Sequence, residues 1–488
     1  MKTIAEITQV ANQGPFAPNW ASLGKFSLPE WFAQAKFGIF IHWGLYSVPA
    51  FNNEWYSRNM YLKGHPEFDH HIKTYGPQAE FGYKDFIPLF TAESFDAQEW
   101  MQLFKEAGAQ YIFPVAEHHD GFQMYQSSLS KWNAAEMGPK KDILAELKTA
   151  AEAQSLHFCT SSHRAEHWFF MGHGKAFESD IHEPLKKGDF YWPAMPEPDN
   201  QDLFSQPYPS QEFLDDWLFR TCELVDLYQP ELLYFDWWIQ HDAFKQHLQL
   251  FTAYYYNRGV EWGKQVAICY KHDAMMFGTG IVEIERGKFA DPQPFYWQTD
   301  TAIARNSWCY THTLDYKTSG EIIRDLIEAV SKNGNMLLNV GPDGKGKIPK
   351  KDQEILKEIG QWLMENGAAI YGSKPWRKAG EGPTVISAGQ FQENSVTQYT
   401  SQDFRFTIQG DSLYAVQMNS PLDGQAHIKS LSLSQDQNLP EFHGIIQEVA
   451  LLGHDQQVID WQVTTQGLHV TFEPIDTDKP IVFKITMK

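Results

Sequence analysis

Cysteine is scarce in this chain, and its few copies lie far apart. Four cysteines occur among 488 residues, and no two of them form a CxxC pair. This spacing argues against a disulfide framework. Because a buried cysteine behaves as a small hydrophobic side chain, we expect buried free thiols at Cys159, Cys222, Cys269 and Cys309.

Long apolar runs are also missing. No stretch of 18 apolar residues occurs, so the sequence predicts no membrane-spanning helix. The N-terminal stretch MKTIAEITQVANQGPF lacks the continuous apolar region of a signal peptide. We therefore expect a cytoplasmic protein.

Basic charge is in short supply. The chain has 40 Lys and Arg against 61 Asp and Glu, for a formal net charge of −21. Nucleic acids and anionic membrane surfaces bind basic patches, so the charge balance argues against both as partners. The sequence leaves the oligomeric state open, with a homo-oligomer among the options.

Aromatic residues, by contrast, are abundant, at 15% of the chain with 17 Trp. Flat rings stack on the apolar faces of sugars in carbohydrate enzymes, but a large aromatic core has the same composition. Hydrophobic residues make up 42%, which indicates a globular chain.

Apolar strand patterns alternate with helical patterns from about residue 30 to 377. FGIFIHWG at 37–44 is typical of a buried strand, and KDILAELKTAAEAQ at 141–154 is typical of a helix. Such alternation predicts a parallel sheet covered on both faces. With about eight units, the pattern favours an α/β fold of the (β/α)8-like TIM-barrel type. An open doubly wound sheet is the alternative.

The helical period disappears after about residue 380. Short alternating segments such as DFRFTIQG and SLYAVQM are separated by Gly, Asp, Asn and Pro. They predict a C-terminal antiparallel β-sandwich domain. We place the boundary near Trp376–Gly382, which assigns residues 1–377 to the barrel and 378–488 to the sandwich.

Several predicted strands end in a polar or titratable residue. In a parallel barrel these ends converge on the face where barrel enzymes build active sites. A single polar end can simply mark the exit into solvent, but the repetition favours a site. The ends are His42, then Glu117 with His118 and His119, then Ser162 with His163, then Asp236, Lys271 with His272, and Glu285.

Two of these residues suit paired carboxylate chemistry. Asp236 follows four apolar or aromatic residues and precedes two Trp, so its carboxylate would be desolvated unless it is paired or faces a cavity. That setting suits a nucleophile, with a buried ion-paired Asp as the alternative. A retaining glycosidase needs a second carboxyl about 5 Å away as general acid and base. Glu285, beside the breaker Gly287, is our candidate.

Other carboxylates compete with Glu285 for the acid/base role. Alternation in IVEIE puts Glu283 on the same face but deeper, where a structural or pKa-tuning role is expected. Asp291 lies past the turn in a loop, and Glu54 is the main competitor elsewhere. Because barrel chemistry lies at the carboxyl ends of the strands, the pattern favours Glu285.

Histidines and one Trp suit sugar recognition. The imidazoles of His42, His118 and His119 can bond to hydroxyls, and the indole of Trp55 can cover an apolar face. A metal site is the competing interpretation of the double histidine. Adjacent strand residues point to opposite faces, so we do not expect His118 and His119 to bind one ion. We expect neither a metal nor an organic cofactor.

Four long segments carry a family resemblance. They are WFAQAKFGIFIHWGLYSVPAFNNEWYSRNMY, EAGAQYIFPVAEHHDGF, LLYFDWW, and SKNGNMLLNVGPDGKGKIP followed by WLMENGAAIYGSKPW. In this order, over roughly residues 20–377, they resemble glycoside hydrolase family 29, the α-L-fucosidases. The resemblance implies a catalytic (β/α)8-like barrel followed by a β-sandwich. It also implies removal of terminal α-L-fucose from fucosylated glycans with retention of configuration.

The resemblance also implies residue roles. Asp236 takes the position of the nucleophile, and the sequence ERG before WQTD favours Glu285 as acid/base. The implied fucose pocket comprises His42, Glu54, Trp55, His118 and His119, and Trp308 matches a family segment that usually ends in Gly-Tyr. In two places the chain departs from the family: His163 stands near the usual strand-3 Tyr, and Lys271 stands closest to a usual Arg.

Two other functional classes stay open on the sequence alone. One is a metal-dependent barrel hydrolase that uses the histidines, which retained activity after chelation would dismiss. The other is a non-catalytic sugar-binding protein, against which the two carboxylate candidates argue.

Overall fold

A parallel barrel and two antiparallel sheets make up the computed structural model, which describes residues 2–393, 396–433 and 442–488. The barrel strands are β1 (Phe37–Ile41), β2 (Tyr111–Glu117), β3 (His157–Phe158), β4 (Thr160–Ser162), β5 (Leu232–Phe235), β6 (Ala267–Tyr270), β7 (Ile281–Glu285), β8 (Trp297–Ala302) and β9 (Gly334–Val340). Both β3 and β4 pair with β2, so together they fill one barrel position.

The barrel is closed. Its strands pair in the order β1-β9-β8-β7-β6-β5-β4-β2-β3, and β1 also pairs with β2. Gly38 lies opposite Tyr111 on one side of β1, and Phe37 lies opposite Met336 on the other. This closure confirms the predicted TIM-like barrel and excludes the open doubly wound sheet.

Helices surround the barrel and precede or follow its strands. They are α1 (Ile4–Gln13), α2 (Trp20–Leu23), α3 (Glu30–Ala35), α4 (Tyr56–Asn59), α5 (Pro66–Tyr75), α6 (Ala97–Glu106), α7 (Ile143–Ala153), α8 (His167–Phe170), α9 (Gln211–Tyr228), α10 (Lys245–Trp262), α11 (Ser319–Val330) and α12 (Lys350–Asn366). None of the helices in the described residues is long and apolar enough to cross a membrane.

The barrel strands are buried on both faces, which explains their continuous apolar runs. Along β1, Ile39 and Ile41 pack in the cluster outside the barrel, whereas Phe40 packs in the cluster inside it. The same alternation places Tyr234 of β5 inside. Continued one step past the strand ends, this period of two aims His42 and Asp236 into the barrel mouth.

The four cysteines are free and buried, as predicted. Cys159 and Cys269 belong to the hydrophobic cluster inside the barrel. Burial raises the pKa of both thiols well above the ordinary value. They therefore act as small apolar side chains and not as nucleophiles.

The C-terminal strands form two sheets with one shared core. The strands are β10 (Lys374–Glu381), β11 (Phe404–Gln409), β12 (Ser412–Gln417), β13 (Gln425–Ile428), β14 (Ile446–Leu451), β15 (Asp460–Thr464), β16 (Gly467–Thr471) and β17 (Ile481–Met487). The sheet orders are β10-β11-β12-β17-β14 and β13-β16-β15. Phe406 and Phe483 of one sheet pack with Ile428 and Leu468 of the other, which confirms the predicted sandwich.

The predicted boundary between residues 377 and 378 falls inside β10. β10 pairs with β11 in the five-stranded sheet. The division into two domains at this point stays a prediction.

Candidate active site

A cavity of about 390 Å³ opens at the carboxyl ends of the barrel strands. It gathers side chains from loops and strand ends that are far apart in sequence, such as Glu54 and Trp308, which are separated by 254 positions. All ten residues predicted for catalysis or sugar binding line it, namely His42, Glu54, Trp55, His118, His119, His163, Asp236, Lys271, Glu285 and Trp308. The other predicted strand ends, Glu117, Ser162 and His272, are not among the lining residues. Asp291 and Glu283, the other acid/base competitors, are not among the lining residues.

Lys271 bridges the two carboxylates at the centre of the cavity. Its ammonium donates to Asp236 Oδ1 at 2.8 Å and to Glu285 Oε2 at 2.5 Å. A cation that contacts both holds these two oxygens within about 5 Å of each other, close to the spacing of paired catalytic carboxyls. Burial lowers the pKa of Lys271, but Asp236, Glu285 and Asp300 outweigh it and raise that pKa above its ordinary value. The ammonium therefore stays charged.

Asp236 is held ionised. Burial raises its pKa, but the Lys271 ammonium and the neighbouring imidazoles outweigh this effect and hold the pKa well below the usual range. His163 Nδ1 lies 3.0 Å from Asp236 Oδ2, and His119 Nε2 lies 3.4 Å from the same oxygen. Asp236 Oδ2 is thus oriented by the imidazoles of His163 and His119, whereas Asp236 Oδ1 contacts the Lys271 ammonium.

The histidines differ in charge although all are buried. Burial, followed by the field of neighbouring histidines, holds the pKa of His42 and of His118 well below the ordinary value. The pKa of His119 is shifted in the opposite direction. Burial lowers its pKa, but Glu166 and Asp236 outweigh burial and raise the pKa to about 9. The cavity therefore combines neutral imidazoles with one imidazolium.

The end of β2 departs from simple alternation. Its pairing with β4 shifts register between Val115 and Glu117, as at a β-bulge. Glu117 turns away from the cavity and accepts from Arg164 at 2.6 Å and from Arg220 at 3.2 Å. The prediction that Glu117 lies at the site is therefore wrong.

The double histidine also contradicts the expectation of opposite faces. His118 and His119 follow the last strand residue, and both line the cavity with ring centroids 4.3 Å apart. Because neither lies in extended strand pairing, the period-two rule does not apply to them. The two rings can therefore contact one ligand together.

His42 is fixed by a neighbouring strand. Its Nδ1 lies 2.6 Å from Asn339 Oδ1, whose other contact is the His42 backbone N–H at 3.1 Å. Since an amide oxygen only accepts, Nδ1 carries the proton and Nε2 is left as an acceptor. Glu54 Oε2 accepts from the Trp308 backbone N–H at 3.1 Å, which ties the two predicted pocket loops together.

Sequence reasoning missed several lining residues, namely Phe40, Glu166, Gln201, Tyr234, Trp237, Asp300 and Phe391. Tyr234 was within reach, because it lies two residues before Asp236 and so shares its face. Asp300 ends the β8 stretch WQTD, and its Oδ2 accepts from the Tyr234 hydroxyl at 2.9 Å. Burial raises the pKa of Asp300 to about 7. No local signal pointed to Gln201 or Phe391.

Within the part of the chain that the structure describes, two groups of side chains could geometrically hold a metal ion. One comprises His42, His118 and His163, and the other comprises His119, His163 and Asp236. Neutral imidazoles suit such ligation, but His163 Nδ1 is already engaged by Asp236. The expectation of a metal-free site stays a prediction, and chelation tests it.

Glu166→Gln is expected to lower the pKa of His119 below its value of about 9. The reason is that the Glu166 carboxylate is the largest opposing influence to burial at this imidazole, with Oε2 3.5 Å from Nδ1. In the unmodified protein the ring keeps its proton until about pH 9, and in the variant it loses that proton at lower pH. Histidine NMR titration measures the shift. Glu178→Gln, at an exposed position, is the matched control, and an unchanged His119 titration in Glu166→Gln would contradict the assignment.

Comparisons with known proteins agree with this geometry. A family profile described as Alpha-L-fucosidase matches residues 3–368. Tissue alpha-L-fucosidase of Homo sapiens is 30% identical over 432 residues, which cover 85% of this chain and 81% of that protein. Plasma alpha-L-fucosidase of Homo sapiens is 32% identical over 469 residues, which cover 91% and 86%.

A solved structure extends the similarity to the fold. The crystal structure of Thermotoga maritima alpha-fucosidase in complex with fucose superposes with a TM-score of 0.73 at 28% sequence identity. The match covers 96% of this chain and 100% of that chain, so it includes the barrel and the C-terminal sheets. The chain therefore belongs to the α-L-fucosidase family, and its activity is that of an α-L-fucosidase, a glycoside hydrolase.

Proposed function

We propose that this protein removes terminal α-L-fucose from fucosylated glycans with retention of configuration, through a covalent glycosyl-enzyme intermediate. The contact of one Lys271 ammonium with both Asp236 and Glu285 carries the proposal. It brings the two carboxylates to a spacing near the ~5–5.5 Å of retaining glycosidases and below the ~6.5–9.5 Å of inverting ones.

In the first step, Asp236 attacks the anomeric carbon of fucose. The low pKa of its carboxyl keeps it ionised and available as a nucleophile. A bond forms between the carboxylate oxygen and the anomeric carbon while the bond to the glycosidic oxygen breaks. Glu285 donates its proton to that departing oxygen, so the leaving group departs as a neutral alcohol.

In the second step, water attacks the same carbon and displaces Asp236. Glu285, now a carboxylate, takes one proton from the water, and both enzyme groups return to their starting state. Lys271 contacts both carboxylates. Its fixed positive charge stabilises whichever of the two is ionised at each stage.

The rest of the cavity supports recognition of one terminal sugar. His42 Nε2 is an acceptor, and the His119 imidazolium is a donor, so hydroxyls of both orientations find partners. The rings of Phe40 and Trp308 lie 6.4 Å apart and offer an apolar surface for the methyl group of fucose. The cavity volume lies at the small end of typical ligand sites of about 300–1,000 Å³.

The stereochemistry of the first-formed product tests the proposal. A retaining enzyme acting on 4-nitrophenyl α-L-fucoside releases α-L-fucose first, and the β anomer appears only by later mutarotation. Proton NMR during the first turnovers distinguishes the anomers. Initial release of β-L-fucose would overturn the double displacement.

A second experiment tests for a metal. We expect the protein to keep its activity after dialysis against a chelator, and loss of that activity would favour a metal-dependent hydrolase.

Several expectations about the protein's setting stay predictions. They are the cytoplasmic location, the absence of nucleic-acid and membrane partners, and the option of a homo-oligomer.

A further inference from the structure

A segment from the C-terminal part of the chain returns to the barrel mouth. Residues 389–393, here called the rim segment, lie between β10 and β11. The Phe391 N–H donates to the Glu285 carbonyl at 2.9 Å, and the Gln392 N–H donates to the Arg286 carbonyl at 2.9 Å. Gln390 Oε1 accepts from the Glu285 N–H at 2.6 Å. The rim segment is thus bonded directly to the end of β7.

Ionic and steric features hold this segment in place. Glu393 Oε2 accepts from Thr301 Oγ1 and from the Lys317 ammonium, both at 2.7 Å. Gly287 permits the close approach, because a Cβ there would lie 1.8 Å from the Gly389 carbonyl oxygen. The position of the segment is therefore set by the barrel itself.

The rim segment carries an aromatic ring to the cavity. Phe391 lines the cavity, is 44% exposed, and stacks on Trp237 with ring centroids 5.9 Å apart and planes within 13°. The Trp237 indole N–H donates to Glu285 Oε2 at 2.9 Å. The pair of rings is thus connected to the proposed acid/base carboxyl.

This location fixes which part of a substrate the rings meet. The general acid must reach the oxygen between fucose and its leaving group. The leaving group consequently lies beside Glu285. Among the lining residues, Trp237 contacts the Glu285 carboxylate directly, and Phe391 stacks on Trp237.

We propose that Phe391 and Trp237 form the binding site for the leaving-group sugar, a neutral pyranose to which the fucose is linked. This proposal rests on the proposed function. A pyranose has an apolar face of C–H groups that stacks on aromatic rings, and its hydroxyls need neutral polar partners. The amide of Gln201, which also lines the cavity, supplies one. The C-terminal part of the chain thereby contributes to specificity.

Two substrates that differ in their leaving group test the site. α-L-Fucosyl fluoride has a leaving group without a ring, whereas a fucosyl-galactose disaccharide presents a neutral pyranose. We expect Phe391→Ala to lower the ratio of kcat/KM for the disaccharide to kcat/KM for the fluoride by about tenfold, from the lost ring contact. Phe391→Tyr keeps the ring and is expected to hold the ratio within about twofold.

A control variant separates this effect from general loss of surface aromatics. Phe277 is similarly exposed, at 58%, and is not among the lining residues of the cavity, so Phe277→Ala should keep the unmodified ratio. An unchanged ratio in Phe391→Ala, including equal losses on both substrates, would overturn the subsite while leaving the proposed function intact. If the unmodified protein cleaved neither substrate, both the subsite and the proposed function would be overturned.

Discussion

Asp236→Ala is expected to lower kcat by roughly 10⁴-fold or more on every α-L-fucoside, because the covalent step loses its nucleophile. The side chain contacts Lys271 and His163, which would keep a vacated, cation-lined space between them. Steady-state kinetics with 4-nitrophenyl α-L-fucoside measures the loss. Activity near that of the unmodified protein would end the nucleophile assignment.

Azide distinguishes a missing nucleophile from a misfolded protein. A small anion can enter the space between the Lys271 ammonium and the imidazoles and attack the anomeric carbon from the face that Asp236 used. Partial rescue with formation of β-L-fucosyl azide is therefore expected. Asp291→Ala, an exposed carboxylate in the loop after β7, is the control and should keep full kcat.

Glu285→Ala is expected to lose about 10²–10⁴-fold in kcat/KM on fucosylated glycans, and much less on activated aryl fucosides. A poor leaving group needs its oxygen protonated as the bond breaks, whereas nitrophenolate departs without help. The fall in kcat/KM on the alkaline side, where a general acid loses its proton, should flatten in this variant, whereas the fall on the acidic side, where the nucleophile is protonated, should remain. Paired kinetics on the two substrate classes over a range of pH measures both effects.

Glu54→Ala is the matched comparison, since Glu54 is the main competing candidate for the acid/base role and is also a buried carboxyl that lines the cavity. Burial raises its pKa, and its Oε2 accepts from the Trp308 backbone. We expect Glu54→Ala to show similar losses of kcat/KM on both substrate classes, as for a residue that only binds the sugar.

Azide provides a second test of Glu285. With azide, Glu285→Ala should form α-L-fucosyl azide, because azide attacks the covalent intermediate and the configuration at the anomeric carbon is inverted twice. If Glu54→Ala, and not Glu285→Ala, lost much more activity on glycans than on activated aryl fucosides, the acid/base role would belong to Glu54.

Local periodicity accounts for the part of the site that the sequence predicted. Along β1 and β5 the side chains alternate between the inner and outer clusters, and Phe40 and Tyr234 face inward. His42 and Asp236 follow each of them by two residues, so their direction was set by the strand itself. The same alternation placed Glu285 at the mouth and Glu283 deeper, where Gln298 contacts it.

Pairing between strands set the directions of the side chains at the end of β2, which the period of two did not predict. The register shift in β2 turns Glu117 outward and lets both following histidines reach the cavity. A bulge depends on the partner strand as well as on its own residues, so it leaves no trace in one segment. The pKa of His119 likewise depends on Glu166, which arrives from the loop after β4.

The sequence by itself determined the barrel, the sandwich and the cavity residues at strand ends, such as His42, Asp236 and Glu285, because hydrophobic period and strand ends are local properties of the chain. Only the tertiary structure decided how Lys271 joins the two carboxylates and how residues 389–393 reach the end of β7. Gly287 shows the difference. In the sequence it predicts a turn, whereas in the fold it makes room for the Gly389 carbonyl. Contacts between residues about 100 positions apart depend on barrel closure and sandwich packing, and no local pattern encodes them.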